Sequence, residues 1–429
     1  MTSRRTVLKG MVLGSAFCGG ITQSNNKINH TYSIVIIGGG FAGATFAKSM
    51  RVLQPSIKIT LIEPNEYYYS CPMGAEYLVA KRPLGTLRFS YQALTKLYNI
   101  LILKDKALTI DPISKTIHTQ QRFVIHYDRC IVACGIGFKF DTITGYSITD
   151  IIKAPHAWTG GDQQTLLRDQ ILAIPNGGNM LISVPEDDYK CPPGPYERAS
   201  LIAEHFKAHK PKSRVIILDA KTRFPKQAQF ELAWRKLYNF GEKNSIIEWI
   251  GGSDGGGVTG YDSLKMELTT DKHQLKGDVI NIIPPQQAAS FALSNNLTNM
   301  HGWCPVDTQT MESLLMPNIH IIGDCAYAEM LPKSAFAAAC QARVCAIAIS
   351  RQLQDLPNLE PEFANVCYSL CGDDYAISVY IKYQRNLQSN ILEVSNLQNT
   401  PISSNDEQYV KEFSSAHQMF SSLTQEAFL

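Results

Sequence analysis

Apolar runs with little or no alternation recur along the chain and read as strands buried on both faces of a sheet. Ile34 to Ile37 is the first, and Ile57 to Ile62 follows it. Later runs are Ile131 to Ala133, Asn179 to Val184, Arg214 to Leu218, Val279 to Ile283 and His320 to Ile322. Helix formers lie between them: Ala44 to Met50, Ala157 to Leu172, and a stretch opening at Pro332-Lys333-Ser334-Ala335. Residues 86 to 130 read as alternating short helix and strands. From about residue 360 the pattern changes. Ala376 to Tyr383 and Ile391 to Val394 suit an antiparallel strand pair, and the closing residues suit a loose polar tail with a short helix. This strand and helix alternation predicts an α/β protein.

The first run leads straight into Gly38-x-Gly40-x-x-Gly43 and then into the first helix. That is the dinucleotide fingerprint in the strand, turn and helix context it requires. Gly38 makes the tight turn, Gly40 admits a pyrophosphate to the backbone, and Gly43 lets helix and strand approach closely. The free N–H groups of the new helix face the phosphates. Glu63 ends the second strand, where an acid holds the adenosine ribose hydroxyl. A ligand with an ADP moiety is expected here. Far downstream, Gly323-Asp324 ends another strand; this resembles the flavoprotein pattern, which implies that Asp324 caps the ribitol and pyrophosphate of FAD. Lys333, beside the N-terminus of the next helix, is expected to stabilise negative charge on a reduced flavin.

The expected architecture is α/β with two Rossmann-like dinucleotide-type domains and a small C-terminal α+β segment. An FAD-binding domain takes residues 31–150 and 280–355, a second domain takes 151–279, and residues 360–429 cover the flavin. The second domain carries no nicotinamide fingerprint. After the strand Asn179 to Val184 the chain reads Pro185-Glu186-Asp187-Asp188-Tyr189-Lys190-Cys191-Pro192-Pro193-Gly194-Pro195. Prolines offer a phosphate no N–H, and three acids repel it. Gly251 to Gly257 lacks strand and helix flanks and reads as a surface turn.

Composition changes this picture little. Apolar content of 45%, charged content of 18% and a net charge of +2 describe an ordinary globular protein, with no basic tract for nucleic acid. Residues 1–25 read as a targeting segment: Ser3-Arg4-Arg5-Thr6-Val7-Leu8-Lys9 has the twin-arginine export pattern, so a periplasmic location is expected. Phe17 before Cys18 does not suit a lipoprotein site, and no apolar run reaches the roughly 18 residues of a membrane span. In that compartment some of the 11 cysteines should be bridged. None falls in a Cys-x-x-Cys, haem-attachment or zinc pattern, so no metal site is expected.

Several segments in order carry a more specific likeness. They are Tyr67-Tyr68-Tyr69-Ser70-Cys71, Cys191-Pro-Pro-Gly-Pro-Tyr-Glu-Arg, Gly302-Trp303-Cys304-Pro305-Val306-Asp307, Pro332-Lys333-Ser334 and Cys367-Tyr368-Ser369, while Tyr127-Asp128-Arg129-Cys130-Ile131-Val132-Ala133-Cys134-Gly135 resembles the strand that ends the first half of the FAD domain in two-dinucleotide-domain flavoproteins. Over most of its length the chain resembles the flavoprotein subunit of flavocytochrome c sulfide dehydrogenase, a family related to the sulfide:quinone oxidoreductases. The resemblance implies FAD held covalently through Cys71, a redox disulfide between Cys191 and Cys367, and Glu197 as a general base beside it. Glu197 also suits a plain helix N-terminal acid. Hydrosulfide attack on the disulfide would leave a persulfide and a thiolate, two electrons would pass to flavin, and sulfur would leave as polysulfide or elemental sulfur. With no haem motif on this chain, the implied acceptor is a separate c-type cytochrome subunit. Cys371, four residues from Cys367, competes as the disulfide partner if the segment is helical. Cys304, Cys340 and Cys345 read as small buried residues. The alternatives are a sulfide:quinone oxidoreductase, which would need a C-terminal membrane anchor, and a non-catalytic flavin-bearing assembly partner. An NAD(P)H-dependent disulfide reductase is disfavoured by the proline-filled turn.

Overall fold

The computed structural model describes residues 31–429; the segment read as an export signal, with Arg4, Arg5 and Cys18, lies outside them. Five parallel strands form the first sheet, in the order Ile319–Ile321, Arg129–Val132, Ser33–Ile37, Lys58–Ile62 and Leu101–Leu103. Ile34, Val35, Ile36, Cys130, Ile131 and Val132 are fully buried, as expected of a parallel sheet covered on both faces. The helices Phe41–Leu53 and Ala335–Gln352 pack against each other beside it. Their small residues Ala42, Ala44, Ala338 and Ala342 are buried there.

A second parallel sheet runs Ile247–Ile250, Arg214–Asp219, Asn179–Val184 and Val279–Ile282. The strands Ile136–Phe138 and Gln286–Ala288 pair antiparallel where the chain passes into and out of this region. The helix read from Ala157 starts instead at Asp162 and ends at Ala173. Ala157 and Gly161 both adopt positive φ, of 47° and 87°, which a helix cannot contain. The Gly251 to Gly257 stretch is only partly a surface turn. Gly251 and Gly256 are buried, and a Cβ on Gly256 would meet the Ile250 carbonyl oxygen at 1.9 Å.

The C-terminal region departs furthest from the sequence pattern. It forms three antiparallel strands, Glu362–Gly372, Tyr375–Arg385 and Leu392–Asn399, rather than one pair. Cys367 and Cys371 sit on the first of them, so they are separated by roughly 13 Å of extended chain rather than one helical turn. The closing residues are not a loose tail but a 23-residue helix, Asp406–Phe428. Asn405 caps it, its Oδ1 accepting from the Gln408 N–H at 3.0 Å, and Asp406 and Glu407 sit favourably in its first turn. Tyr409, Phe413, Ala416, Phe420, Leu423 and Ala427 recur at three and four residues and form the buried stripe. Phe428 ends it inside an aromatic cluster, stacked on Tyr68 and Phe89 at 5.1 Å each and edge-on to Phe41 at 5.5 Å.

Candidate active site

The ends of the first sheet, the Cys191 loop and the C-terminal helix surround a cavity of about 660 Å³. Gly38 enters it with φ 101°, and its N–H donates to the Ile62 carbonyl at 3.0 Å. A Cβ on Gly43 would stand 1.9 Å from the Gly38 carbonyl oxygen, so this crossing admits only glycine. Gly38, Gly40, Phe41 and Ala42 line the cavity, which sets the unpaired N–H groups of the helix's first turn against it. Glu63 lines it too, and its carboxylate holds the turn. Oε2 accepts from the Gly39 N–H at 2.9 Å, and Oε1 accepts from the Asn65 N–H and side-chain amide at 2.9 and 2.8 Å. Oε2 keeps a further lone pair for a hydroxyl.

Asp324 comes to the same cavity by way of Gly323, whose φ is 80°. Its Oδ1 is buried and has no hydrogen-bond partner, and burial pushes its carboxyl up. A buried acceptor left unpaired is costly, so the site calls for a donor such as a sugar or ribityl hydroxyl. Ser334 caps the helix Ala335–Gln352, its Oγ accepting from the Ala337 N–H at 3.1 Å and its hydroxyl donating to Asn365 Oδ1 at 2.6 Å. Glycine cradle, acid, unpaired Asp324 and two helix N-termini together fit FAD.

Lys333, expected to face the flavin, does not line this cavity. Its Nζ donates to the Ala326 carbonyl at 3.0 Å and lies 3.6 Å from the centre of the Trp303 ring. Burial lowers its pKa. Only its backbone serves the site, as the Lys333 carbonyl accepts from the Cys191 N–H at 2.8 Å. Among the described residues, the lysine that lines the cavity is Lys190. Its Nζ donates to Cys71 Sγ at 3.4 Å. Burial works against its charge, but Cys71 and Asp324 outweigh burial and raise it. The Cys71 thiol donates to the Trp158 carbonyl at 3.5 Å. Trp158 lies under the Arg198 guanidinium at 4.7 Å, and Arg198 is itself fixed to the His156 and Ala157 carbonyls and to Asn281 Oδ1.

Cys191, Cys367 and Glu197 all line the cavity. Cys191 has φ 56° and stands before the helix Gly194–His209, which carries Glu197 in its first turn. The two cysteines are separate thiols, and all ten described cysteines are unbridged. Burial raises both, and the Cys367 charge raises Cys191 further, as expected of neighbouring thiols. Burial also pushes Glu197 up to about 7, against the Leu370 N–H that donates to its Oε1 at 3.2 Å. Lys226 draws it down; its Nζ donates to the Cys367 carbonyl at 3.1 Å and to Ser369 Oγ at 2.8 Å. Cys371 is fully buried outside the cavity lining, with its thiol on the Ser369 carbonyl. Cys304, read as a small buried residue, is fully buried, as is Cys325, whose thiol donates to the Ile322 carbonyl at 3.5 Å.

Where a nicotinamide site would stand, the end of the strand Arg214–Asp219 is filled by protein. Lys221 Nζ pairs with Asp219 Oδ1 at 2.9 Å and donates to the Pro185 carbonyl at 3.0 Å and to Tyr189 at 3.3 Å. Asp219 Oδ2 takes the Tyr196 hydroxyl and the Trp249 indole N–H. Asp219 is fully buried and its every partner is protein.

Lys190 and Arg198 were legible only as neighbours of Cys191, and Trp158 and Lys226 were not legible at all, since no spacing rule ties them to Cys71 or Cys367 far along the chain.

Comparison with known proteins agrees with this geometry. Residues 164–284 match the model described as sulfide dehydrogenase [flavocytochrome c] flavoprotein chain, central. Residues 359–428 match flavocytochrome c sulphide dehydrogenase, flavin-binding, and residues 32–166 match pyridine nucleotide-disulphide oxidoreductase. The chain is 50% identical over 44 residues to the sulfide dehydrogenase [flavocytochrome c] flavoprotein chain of Chlorobaculum thiosulfatiphilum, covering 10% of this chain and 92% of that one. It is 22% identical over 336 residues to the mitochondrial sulfide:quinone oxidoreductase of Mus musculus, 73% of this chain and 69% of that one. The crystal structure of sulfide:quinone oxidoreductase from Aquifex aeolicus shares the fold, with TM-score 0.72 at 17% identity, covering 93% of this chain and 92% of the other. The chain is similar to the flavoprotein chain of flavocytochrome c sulfide dehydrogenase in its central and flavin-binding segments, and it shares its fold with a sulfide:quinone oxidoreductase.

Proposed function

We propose that this chain oxidises sulfide with FAD tethered through Cys71, and passes the electrons to a separate c-type cytochrome in the periplasm. The observation that carries the reading is the meeting, in one cavity, of the dinucleotide cradle with Cys71, Cys191, Glu197 and Cys367. When bound, FAD supplies a two-electron acceptor that can release its electrons one at a time. The rest is the work of the chain. Hydrosulfide attacks one sulfur of the oxidised Cys191–Cys367 pair; the S–S bond breaks, leaving a persulfide on one cysteine and a thiolate on the other. Glu197, neutral or charged near pH 7 because burial holds it there, takes the proton shed by the incoming sulfur. A second hydrosulfide removes the outer sulfur as hydrodisulfide, and the two cysteines return to the disulfide with loss of two electrons. The balance is two hydrosulfides to one hydrodisulfide, one proton and two electrons. Lys190, whose ammonium donates to Cys71 Sγ at 3.4 Å, is placed to fix the direction of that sulfur for attachment to a flavin methyl group.

Quinone as the acceptor is the second reading, favoured by the length over which the mouse sulfide:quinone oxidoreductase aligns. Among the described residues no helix is long and apolar enough to cross a membrane. The deciding experiment is an anaerobic titration of the yellow protein with sulfide, and separately with NADH. Bleaching by sulfide alone, followed by reoxidation with a c-type cytochrome, supports the proposal; reoxidation by a soluble quinone alone replaces the acceptor. No bleaching by sulfide refutes the activity.

A further inference from the structure

The glycine turn carries one glycine more than its fingerprint asks for. Gly39 occupies the free position between Gly38 and Gly40, and its N–H is taken by Glu63 Oε2 at 2.9 Å. What excludes a side chain there is Tyr91. A Cβ on Gly39 would stand 2.6 Å from the Tyr91 hydroxyl oxygen and 2.7 Å from Cε1 and Cζ, so the phenol end of the ring lies against the Gly39 backbone. Tyr91 is fixed at both ends. Its carbonyl accepts from the Thr95 N–H at 3.2 Å, where the helix Gln92–Tyr98 begins, and its ring lies edge-on to Phe428 at 6.5 Å.

Tyr91 lines the cavity and is only 6% exposed, yet its hydroxyl has no hydrogen-bond partner among the described residues. A ligand that fills the cavity strips water from that hydroxyl and must supply the partner itself. Burial, and after it the Glu63 charge, push the phenol well up, so the group keeps its proton and stands as a donor. The surroundings say which acceptor it meets. Among the described residues the Lys and Arg side chains that line the cavity are Lys190 and Arg198, and both are committed at the cysteine end. Lys190 is on Cys71 Sγ, and Arg198 is on the His156 and Ala157 carbonyls. A pyrophosphate at the glycine turn therefore meets neutral donors, the first N–H groups of the helix Phe41–Leu53 and the hydroxyl of Tyr91. Gly39 is bonded to Glu63, the acid expected to hold the adenosine ribose, so the phosphate within reach of Tyr91 is the one on the adenosine side.

We propose that the Tyr91 hydroxyl donates to the adenosine-side phosphate of the cofactor, and that position 39 is a glycine to make room for it. The proposal rests on reading this cavity as an FAD site. It adds to the glycine turn a directed donor from a different part of the chain, on the strand-to-helix corner that follows Arg88–Ser90.

The test uses the full chain with Cys71→Ser, which takes FAD without a tether, and the same chain with Tyr91→Phe added. Phenylalanine keeps the ring on Gly39 and removes only the hydroxyl. Calorimetry reads the binding of FAD, ADP and adenosine. A hydrogen bond to a charged group predicts FAD and ADP binding weakened roughly ten- to a hundredfold by Tyr91→Phe, with adenosine binding unchanged. In the flavin-loaded chain with Cys71 intact, one of the two phosphorus resonances of bound FAD should move in Tyr91→Phe while the other stays. The melting temperature of the cofactor-free chain should be the same with and without the hydroxyl, which has no protein partner to lose. Equal FAD and ADP affinities in the two chains overturn the proposal. An equal loss for adenosine and ADP overturns it too, since the hydroxyl would then read the nucleoside. A lowered melting temperature with both phosphorus resonances unmoved reduces Tyr91 to packing and likewise overturns it. A folded Cys71→Ser chain that binds neither FAD nor ADP removes the FAD reading itself, whatever Tyr91 does.

Discussion

Glu197→Gln should stabilise the protein at alkaline pH and leave it nearly unchanged in acid. Burial carries this carboxyl from an ordinary 4.5 to about 7. Between those values the unfolded chain has lost the proton and the folded chain still holds it. The folded state then binds more protons, so stability is fully present below 4.5 and is lost as pH rises through about 7. A gap of about 2.5 pH units at 1.36 kcal/mol each comes to about 3 kcal/mol. Glutamine keeps the shape and the acceptor for the Leu370 N–H but carries no charge to desolvate. Urea unfolding of the thiol form, wild type against variant, should show a small difference at pH 5 that grows to about 3 kcal/mol by pH 8. A difference that stays flat across that range would mean the carboxyl is not desolvated, and would take away the reason for calling it a base near neutrality.

Cys191→Ser or Cys367→Ser should keep the flavin and lose bleaching by sulfide, read from the visible flavin band. Gly43→Ala, with its new carbon 1.9 Å from the Gly38 carbonyl oxygen, should yield protein without flavin; a yellow, fully loaded variant would contradict the cradle. Lys190→Met should release its flavin on acid precipitation while wild type retains a flavin-sized mass on the Cys71 peptide. Asp219→Ala should cost about 3–5 kcal/mol by leaving Lys221 buried and unpaired, and should gain no bleaching by NADH, checked by melting and titration.

The parts of this fold that depend on near neighbours in sequence were legible. Gly38, Gly40, Gly43 and Glu63 stand together because one turn and one strand crossover dictate it, and Asp324 reaches the same cavity from a strand two places across the sheet. The C-terminal helix was hidden because its stripe from Tyr409 to Phe428 is interrupted by Ser, Gln and Glu on the other faces, and the average over the window is polar. The strand nature of Cys367 was hidden as well, since four-residue spacing of two cysteines fits a helix and a strand equally. Lys333 illustrates the remaining gap: sequence placed it at the right helix end, but side-chain direction was decided by the Trp303 ring and the Ala326 carbonyl. Lys190 took the cavity-facing role for which Lys333 had the better address.

The C-terminal helix also makes cofactor exchange a matter of time. The cavity it covers is walled by residues from Gly38 to Leu423, so nothing shaped to hold a flavin exists until nearly the whole chain is in place. Lifting the helix exposes at least Phe420, Leu423 and Phe428, which at about 2 kcal/mol apiece comes to about 6 kcal/mol. An open state at that cost is visited by roughly one molecule in ten thousand at any moment. Loading is therefore slow and escape slower, and a molecule that closes without its flavin stays empty for long intervals.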